Sequence, residues 1–261
     1  MAMPIKRKLR AGKSVIGTML TLIANPNIAY ILKNAGFDFV FIDCEHGPYT
    51  FKEVSGMTAL CRALDLGVIV RVPQPDRHSV QMYSDMGVDG IMLPMVETPD
   101  QAAEAAHFAR YQPRGTRGMG LGPLVDYKTG VDLERVIADI NEDYVILAQI
   151  ETRRGVEAID SIMAVDGVDG CFFGVYDMSI SYGKPGRIHD PIFRKNIASV
   201  LDSARSRGKI LGHHFFGYED LSWGLEQGIR LVGWHTDVSA LQNFYRTDVD
   251  KIRELPGFDS N

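Results

Sequence analysis

Residues 37–48 read FDFVFIDCEHGP. The run 37–43 is almost unbroken in its apolar, β-prone character, and polar groups crowd its end: Asp43, Glu45 and His46. Continuous rather than alternating apolarity marks a parallel strand covered on both faces. The same pattern recurs at 14–20, 67–72, 88–94, 144–150, 168–174, 209–215 and 229–234. Helical segments fit the gaps. Asn25-Pro26 reads as a cap with proline in the first turn of a helix reaching Asn34, and Thr98-Pro99 opens another. Further helices are expected at 51–65, 76–86, 155–163, 190–207, 218–227 and 238–247. Gly36, Gly67, Gly87, Gly167, Gly208 and Gly228 lie near helix ends, where a left-handed cap favours glycine. Eight strand-then-helix units predict an α/β fold, a closed (β/α)8 TIM barrel, with a doubly wound open sheet as the main competitor. Residues 111–130, with five glycines and two prolines, break the rhythm as a long loop.

The bulk properties agree. A barrel needs about 250 residues, so the 261 residues here suit a single domain over 1–261. A net charge of −5, from 28 basic and 33 acidic side chains, argues against a general nucleic-acid binder. Cys44, Cys61 and Cys171 fit no zinc or disulfide framework, so a reducing cytoplasmic setting is expected. The basic N-terminus lacks the apolar core of a secretory signal, and no apolar stretch reaches membrane-spanning length.

Active residues of a barrel project from the carboxyl ends of its strands. Those ends hold Asp43, Glu45 and His46, then Arg71, then Gln149 and Glu151, then Asp177, and last His213, His214, His235 and Asp237. Glu151 and Asp177 follow adjacent strands. Two carboxylates with sites left for water or substrate suit a hard cation such as Mg2+ or Mn2+. The competing reading has each cap the next helix or pair with Arg153 or Arg154. Arg71 suits a planar carboxylate, because its guanidinium donates two parallel hydrogen bonds. The competing role is a structural ion pair. His46 is the natural proton carrier, with Asp43 placed to orient it. A Schiff-base route needs a buried strand lysine, but Lys209 stands at the opposite end and Lys128 and Lys184 lie in polar loops. No nucleotide-binding loop is recognised, and GMGLG (118–122) follows no strand.

Several segments resemble the HpcH/HpaI family of metal-dependent pyruvate aldolases: GFDFVFIDCEHGP (36–48), VIVRV (68–72), MGVDGIMLPMVET (86–98), YQPRGTRGMG (111–120), AQIET (148–152) and GVDGCFFGVYDMS (167–179). The resemblance implies a carbon–carbon lyase. It would cleave a 4-hydroxy-2-oxo acid into pyruvate, or a close 2-oxo acid, and an aldehyde, in aromatic or sugar-acid catabolism. It assigns Glu151 and Asp177 to a divalent cation (Mg2+ or Mn2+, with Co2+ a further candidate), Arg71 to pyruvate, and His46 with Asp43 to the catalytic dyad. Gln149 matches a substrate contact. Asp85, in YSDMG, matches an aspartate that reaches a neighbouring subunit's site. The family also implies a homohexamer, a trimer of dimers, with the last helix exchanged between paired barrels.

The chain departs from the pattern in two places. GVYDMS (174–179) stands where the family often reads GPADLS, placing Val175 and Tyr176 at the substrate's carboxylate end. The ends of strands seven and eight read GHHF (212–215) and GWHTD (233–237), where the family is commonly apolar. Tyr176, His214 and His235 therefore join the expected substrate-binding set, against a competing role in core packing. Decarboxylation of a 2-oxo acid such as oxaloacetate, other carbon–carbon bond formation at the same site, and a barrel that binds a small acid without turnover are the alternative functions.

Overall fold

The computed structural model describes residues 3–258. Eight strands run β1 Val15–Leu20, β2 Phe39–Asp43, β3 Gly67–Arg71, β4 Gly90–Leu93, β5 Val145–Ile150, β6 Gly170–Phe173, β7 Ile210–Phe215 and β8 Leu231–Thr236. They pair in that order, all parallel, and β8 returns to β1. The expected closed barrel is borne out and the open sheet is excluded.

The helices are α1 Ile5–Arg10, α2 Ile28–Asn34, α3 Phe51–Ala63, α4 Arg77–Ser84, α5 Pro99–Ala109, α6 Leu133–Asp143, α7 Arg153–Glu157, α8 Ile159–Met163, α9 Val175–Ser181, α10 Pro191–Arg205, α11 Tyr218–Glu226 and α12 Asp237–Arg253. Thr98 caps α5 as expected, its hydroxyl accepting from Gln101 N with Pro99 in the first turn. Asn25 acts as expected, its Oδ1 accepting from Asn27 N at 3.0 Å over a first turn that holds Pro26, and the α-helix proper runs from Ile28. Gly67 is not a left-handed cap: it begins β3, and Asp65 takes the positive φ of 51°. Three helices were not foreseen: α1 in the basic N-terminus, α6 after the long loop, and α9 after β6.

Alternation along the strands makes two layers. Val15, Met19, Phe39, Phe41, Ile69, Met92, Leu147, Phe172 and Leu231 pack together inside the barrel. Val40, Ile42, Val68, Val70, Ile91, Ile146, Ala148 and Phe173 pack outward against the helices. The inward parity carries on to Asp43, Arg71, Gln149 and His214 at the carboxyl rim.

At the opposite rim, three aspartates fasten even strands to odd ones. The carboxylates of Asp38, Asp89 and Asp169 accept from the amides of Ile16, Val68 and Ile146 at 3.0, 2.8 and 2.9 Å. Their own amides donate to the carbonyls of those same three residues. Asp169 is also the centre of a buried ion cluster. Lys6, only 1% exposed, lies 2.7 Å from Asp169 Oδ1 and donates to the Tyr144 carbonyl. Arg110 lies 2.7 Å from Oδ2. Burial pulls the Lys6 pKa down against the pull of Asp169, so this lysine is tied to the base of the barrel.

Removing one partner of such a cluster strands a buried charge. Asp169→Ala is expected to lower the unfolding free energy by about 3–5 kcal/mol, measured by urea denaturation. A loss below roughly 1 kcal/mol would contradict the role given to Asp169.

Candidate active site

Asp43 ends β2 beside Arg71 at the end of β3, and the two are register partners. Arg71 Nε and Nη2 donate to Asp43 Oδ1 and Oδ2 at 2.8 and 2.6 Å, a bidentate pair in which both residues are buried. Nη1 lies 3.3 Å from Glu45 Oε2. Asp43 thus holds one edge of the guanidinium, and the Nη1/Nη2 edge remains for a planar anion. Strong bonds to Asp43 raise the Arg71 pKa although burial opposes it.

The expected orientation of His46 by Asp43 is corrected. Asp43 Oδ1 accepts from the amides of Glu45 and His46 at 3.1 and 3.3 Å, so it bonds the main chain of the turn and not the imidazole. The ring is 63% exposed, and Nε2 lies 3.8 Å from Glu45 Oε2. Glu45 is the residue that the motif reading undervalued. It stands between Arg71 and His46, and burial raises its pKa although both neighbours pull it down.

Glu151 is 1% exposed. Oε1 accepts from the Met95 amide at 2.8 Å and Oε2 from Gln149 Nε2 at 2.5 Å. Gly174 makes room for this carboxylate, since a Cβ there would overlap Glu151 Oε2. Asp177 lies in the first turn of α9. Burial pushes Glu151 up to about 7; the charges of Asp177 and Glu45 push the same way, while the Met95 amide and Arg71 pull it down. The competing pairing with Arg153 or Arg154 does not form: Arg153 pairs with Glu157 and Arg154 with Glu97.

Among the described residues no cluster of three or more His, Cys, Asp or Glu is arranged to hold a metal ion. The donor set nonetheless fits a hard cation. Three carboxylates feel one another's charge, and the buried Oε1 of Gln149 has no hydrogen-bond partner among the described residues.

The remaining expected residues divide into two groups. His214 shares the inward field with Arg71 and His235. His235 takes a left-handed φ of 50°, with Nδ1 3.4 Å from Ser239 Oγ. Tyr176 is exposed at the rim, edge-on to Phe216 with ring centres 6.1 Å apart. His213 points outward and packs between Phe173 and Phe215. Asp85 caps the end of α4, where Arg117 donates to it at 2.8 and 3.0 Å. No hydrogen bond among the described residues joins Asp85 to the rim cluster of the same chain. Lys209 stays at the far end of β7, donating to the carbonyls of Val165 and Val168.

Asp237 has a structural task. It accepts from the amides of Thr21, Leu22 and Ile23 at 3.0, 3.0 and 2.8 Å and from the Thr21 hydroxyl at 2.7 Å. It thereby fixes the loop after β1 at the mouth.

A (β/α)8 barrel whose rim gathers an arginine, several carboxylates and histidines defines an enzyme acting on small anionic substrates. The HpcH/HpaI aldolase/citrate lyase family model matches residues 18–243, and the chain belongs to that family. It is 31% identical over 246 residues to a hydroxypyruvate/pyruvate aldolase of Roseobacter denitrificans, covering 91% of this chain and 92% of the relative. It is 32% identical to a 2-keto-3-deoxy-L-rhamnonate aldolase of Klebsiella pneumoniae, covering 80% and 78%. The crystal structure of an HpcH/HpaI aldolase from Desulfitobacterium hafniense superposes with a TM-score of 0.95 at 38% identity, over 99% of this chain and 100% of that one. The expected family and the expected carbon–carbon lyase class are borne out.

Burial raises the Asp237 carboxyl, but the donors from Ile23, Thr21 and Leu22 outweigh it and its pKa is lowered from 3.8. A group lowered on folding stabilises above its unfolded value, and that contribution is lost as pH falls through the folded one. Asp237→Asn should therefore cost about 2–3 kcal/mol at neutral pH, with the difference from wild type shrinking below about pH 4. Thermal or urea unfolding across pH 3–7 checks this; a pH-independent difference would contradict it.

Proposed function

We propose that the chain cleaves a 4-hydroxy-2-oxo acid into pyruvate, or a close 2-oxo acid, and an aldehyde, using a divalent cation held by Glu151 and Asp177. The observation that carries this reading is the charge balance of the rim: Glu45, Glu151 and Asp177 act on one another around Arg71, and burial with that repulsion lifts Glu151 to about 7. The aldolase names of the relatives support the reaction class. The all-oxygen donors suit Mg2+ or Mn2+, with Co2+ a further candidate; when bound, the cation would polarise the 2-oxo group as a Lewis acid.

The chain's own groups divide the remaining work. The Nη1/Nη2 edge of Arg71 receives the substrate carboxylate, held in place by Asp43. Gln149 keeps its unpartnered Oε1 as a further oxygen that would serve the cation, while its Nε2 holds Glu151. His46 takes the proton of the 4-hydroxyl, and Glu45 beside it stabilises the imidazolium. As the C3–C4 bond breaks, its electron pair passes into the 2-oxo group as the enolate, and the aldehyde leaves. Arg71 offsets the growing negative charge, and a proton returned to C3 gives pyruvate.

The assembly belongs to the same reading. Leu241, Phe244, Tyr245, Val249 and Ile252 lie exposed along α12, at spacings that form one apolar stripe. The stripe supports a helix exchanged between paired barrels in a hexamer, in which Asp85 reaches a neighbour's site. The free, buried cysteines support a cytoplasmic setting. Among the described residues no helix is long and apolar enough to cross a membrane, and the net acidic charge favours small-molecule over nucleic-acid partners.

Pyruvate release from a 4-hydroxy-2-oxo acid should require Mg2+ or Mn2+, stop with a chelator, and return on resupply. Carbon dioxide release from oxaloacetate with no aldol accepted or cleaved would overturn the aldolase reading. Arg71→Ala should reduce kcat/KM by roughly 10²–10³-fold, and unchanged pyruvate affinity would exclude the clamp.

A further inference from the structure

The inward ends of β7 and β8 are polar where little in the fold requires it. Both ring nitrogens of His214 are buried, and among the described residues no hydrogen bond of ordinary geometry reaches either, although the His235 main chain lies close enough to act on the ring. An unpaired buried polar group costs free energy, so packing alone gives no reason for an imidazole here. The backbone makes space for the ring: a Cβ on Gly233 would stand 2.6 Å from His214 Nδ1. Gly212, one inward step below His214, likewise faces Phe172, 2.6 Å from where its Cβ would be. His235 ends the neighbouring strand. Phe216 lies between the two histidines, with ring centres 4.8 Å from His214 and 5.7 Å from His235. Tyr176 also packs edge-on against Phe216.

This wall combines ring faces with neutral nitrogens. Burial pushes His214 down to about 3, and the charges of His213, His235 and Arg71 act in the same direction. A neutral imidazole presents one donor and one acceptor, and a hydroxyl presents the same pair in return. An apolar tail would leave both nitrogens unpaired. A second carboxylate would meet the negative field of Glu45, Glu151 and Asp177, with Arg71 already engaged by Asp43 and by the carboxylate of the 2-oxo acid itself. Ring faces pack on the C–H surface of a polyol and leave its hydroxyls to the nitrogens.

We propose that His214 and His235, with Phe216 between them, form the part of the site that selects the aldehyde, and that the aldehyde is a short, uncharged, hydroxylated one. This inference rests on the aldolase reading. In the synthetic direction C3 of pyruvate, having lost a proton, forms the new bond to the aldehyde carbon. The carbonyl oxygen gains a proton and becomes the 4-hydroxyl, so atoms and charge balance without a further reactant.

The test has two arms, both on Mn2+-loaded enzyme. In the first, wild-type enzyme is given pyruvate in D2O without aldehyde, and loss of the methyl proton signal reports enolate formation. No exchange overturns the aldolase reading itself. In the second, kcat/KM is compared for glyceraldehyde against butanal, and for glyceraldehyde against succinic semialdehyde. Wild type should favour glyceraldehyde by roughly tenfold or more over each. His214→Leu and His235→Val should each collapse the ratio over butanal within the same variant, and His214→Gln, which keeps a donor and an acceptor, should retain most of it. Exchange with no preference for glyceraldehyde overturns the inference and leaves the aldolase reading standing. So does a preference that survives both apolar substitutions, and a preference for succinic semialdehyde overturns the uncharged class.

Discussion

The bidentate pair between Asp43 and Arg71 sets the geometry of the rim. It joins the ends of β2 and β3 at a register position that the closed barrel imposes. With one edge of the guanidinium fixed, its remaining nitrogen, Nη1, faces Glu45. Asp43 also receives the amides of the turn that carries Glu45 and His46. One carboxylate therefore positions the Arg71 guanidinium and the turn carrying Glu45 and His46 together. Its own charge is used up in doing so, which leaves Glu45, Glu151 and Asp177 facing a deficit of positive charge.

In the proposed reading, that deficit is what a bound cation relieves. Carboxylates crowd together in low dielectric only where a proton or a cation offsets them. Glu151 is held by the Met95 amide and Gln149 in a space that Gly174 keeps open, so it cannot relax away from Asp177. The ring of aspartates at the other rim plays an opposite part. Asp38, Asp89 and Asp169 are matched by amides, and Asp169 also by Lys6 and Arg110, so that end is closed and structural.

Much of this was legible in the sequence. Continuous apolar runs located all eight strands, and the rule that barrels act at strand ends picked out Arg71, Glu151 and Asp177 without any contact being known. Local spacing misled where partners are distant in sequence. Asp43 and His46 stand three apart, which suggested a dyad, yet Asp43 is satisfied by Arg71, 28 residues away. Lys6 looked like part of a basic tail, because its partners Asp169 and Tyr144 converge on it only once the barrel closes. Helix α6 is masked by the glycine-rich loop that precedes it, although Asp132 caps it and its face is strongly amphipathic. His213 and His214 are adjacent in sequence and face opposite ways, a difference that strand parity fixes.

The chemistry proposed for this rim requires that its carboxylates bind a divalent cation. Electron paramagnetic resonance titration of Mn2+ into the chelator-treated protein measures this without any substrate. One tight site per chain in the wild type, lost or greatly weakened in the folded Glu151→Gln variant, is the predicted result. Equal Mn2+ binding by wild type and Glu151→Gln, or no binding by either, would contradict it.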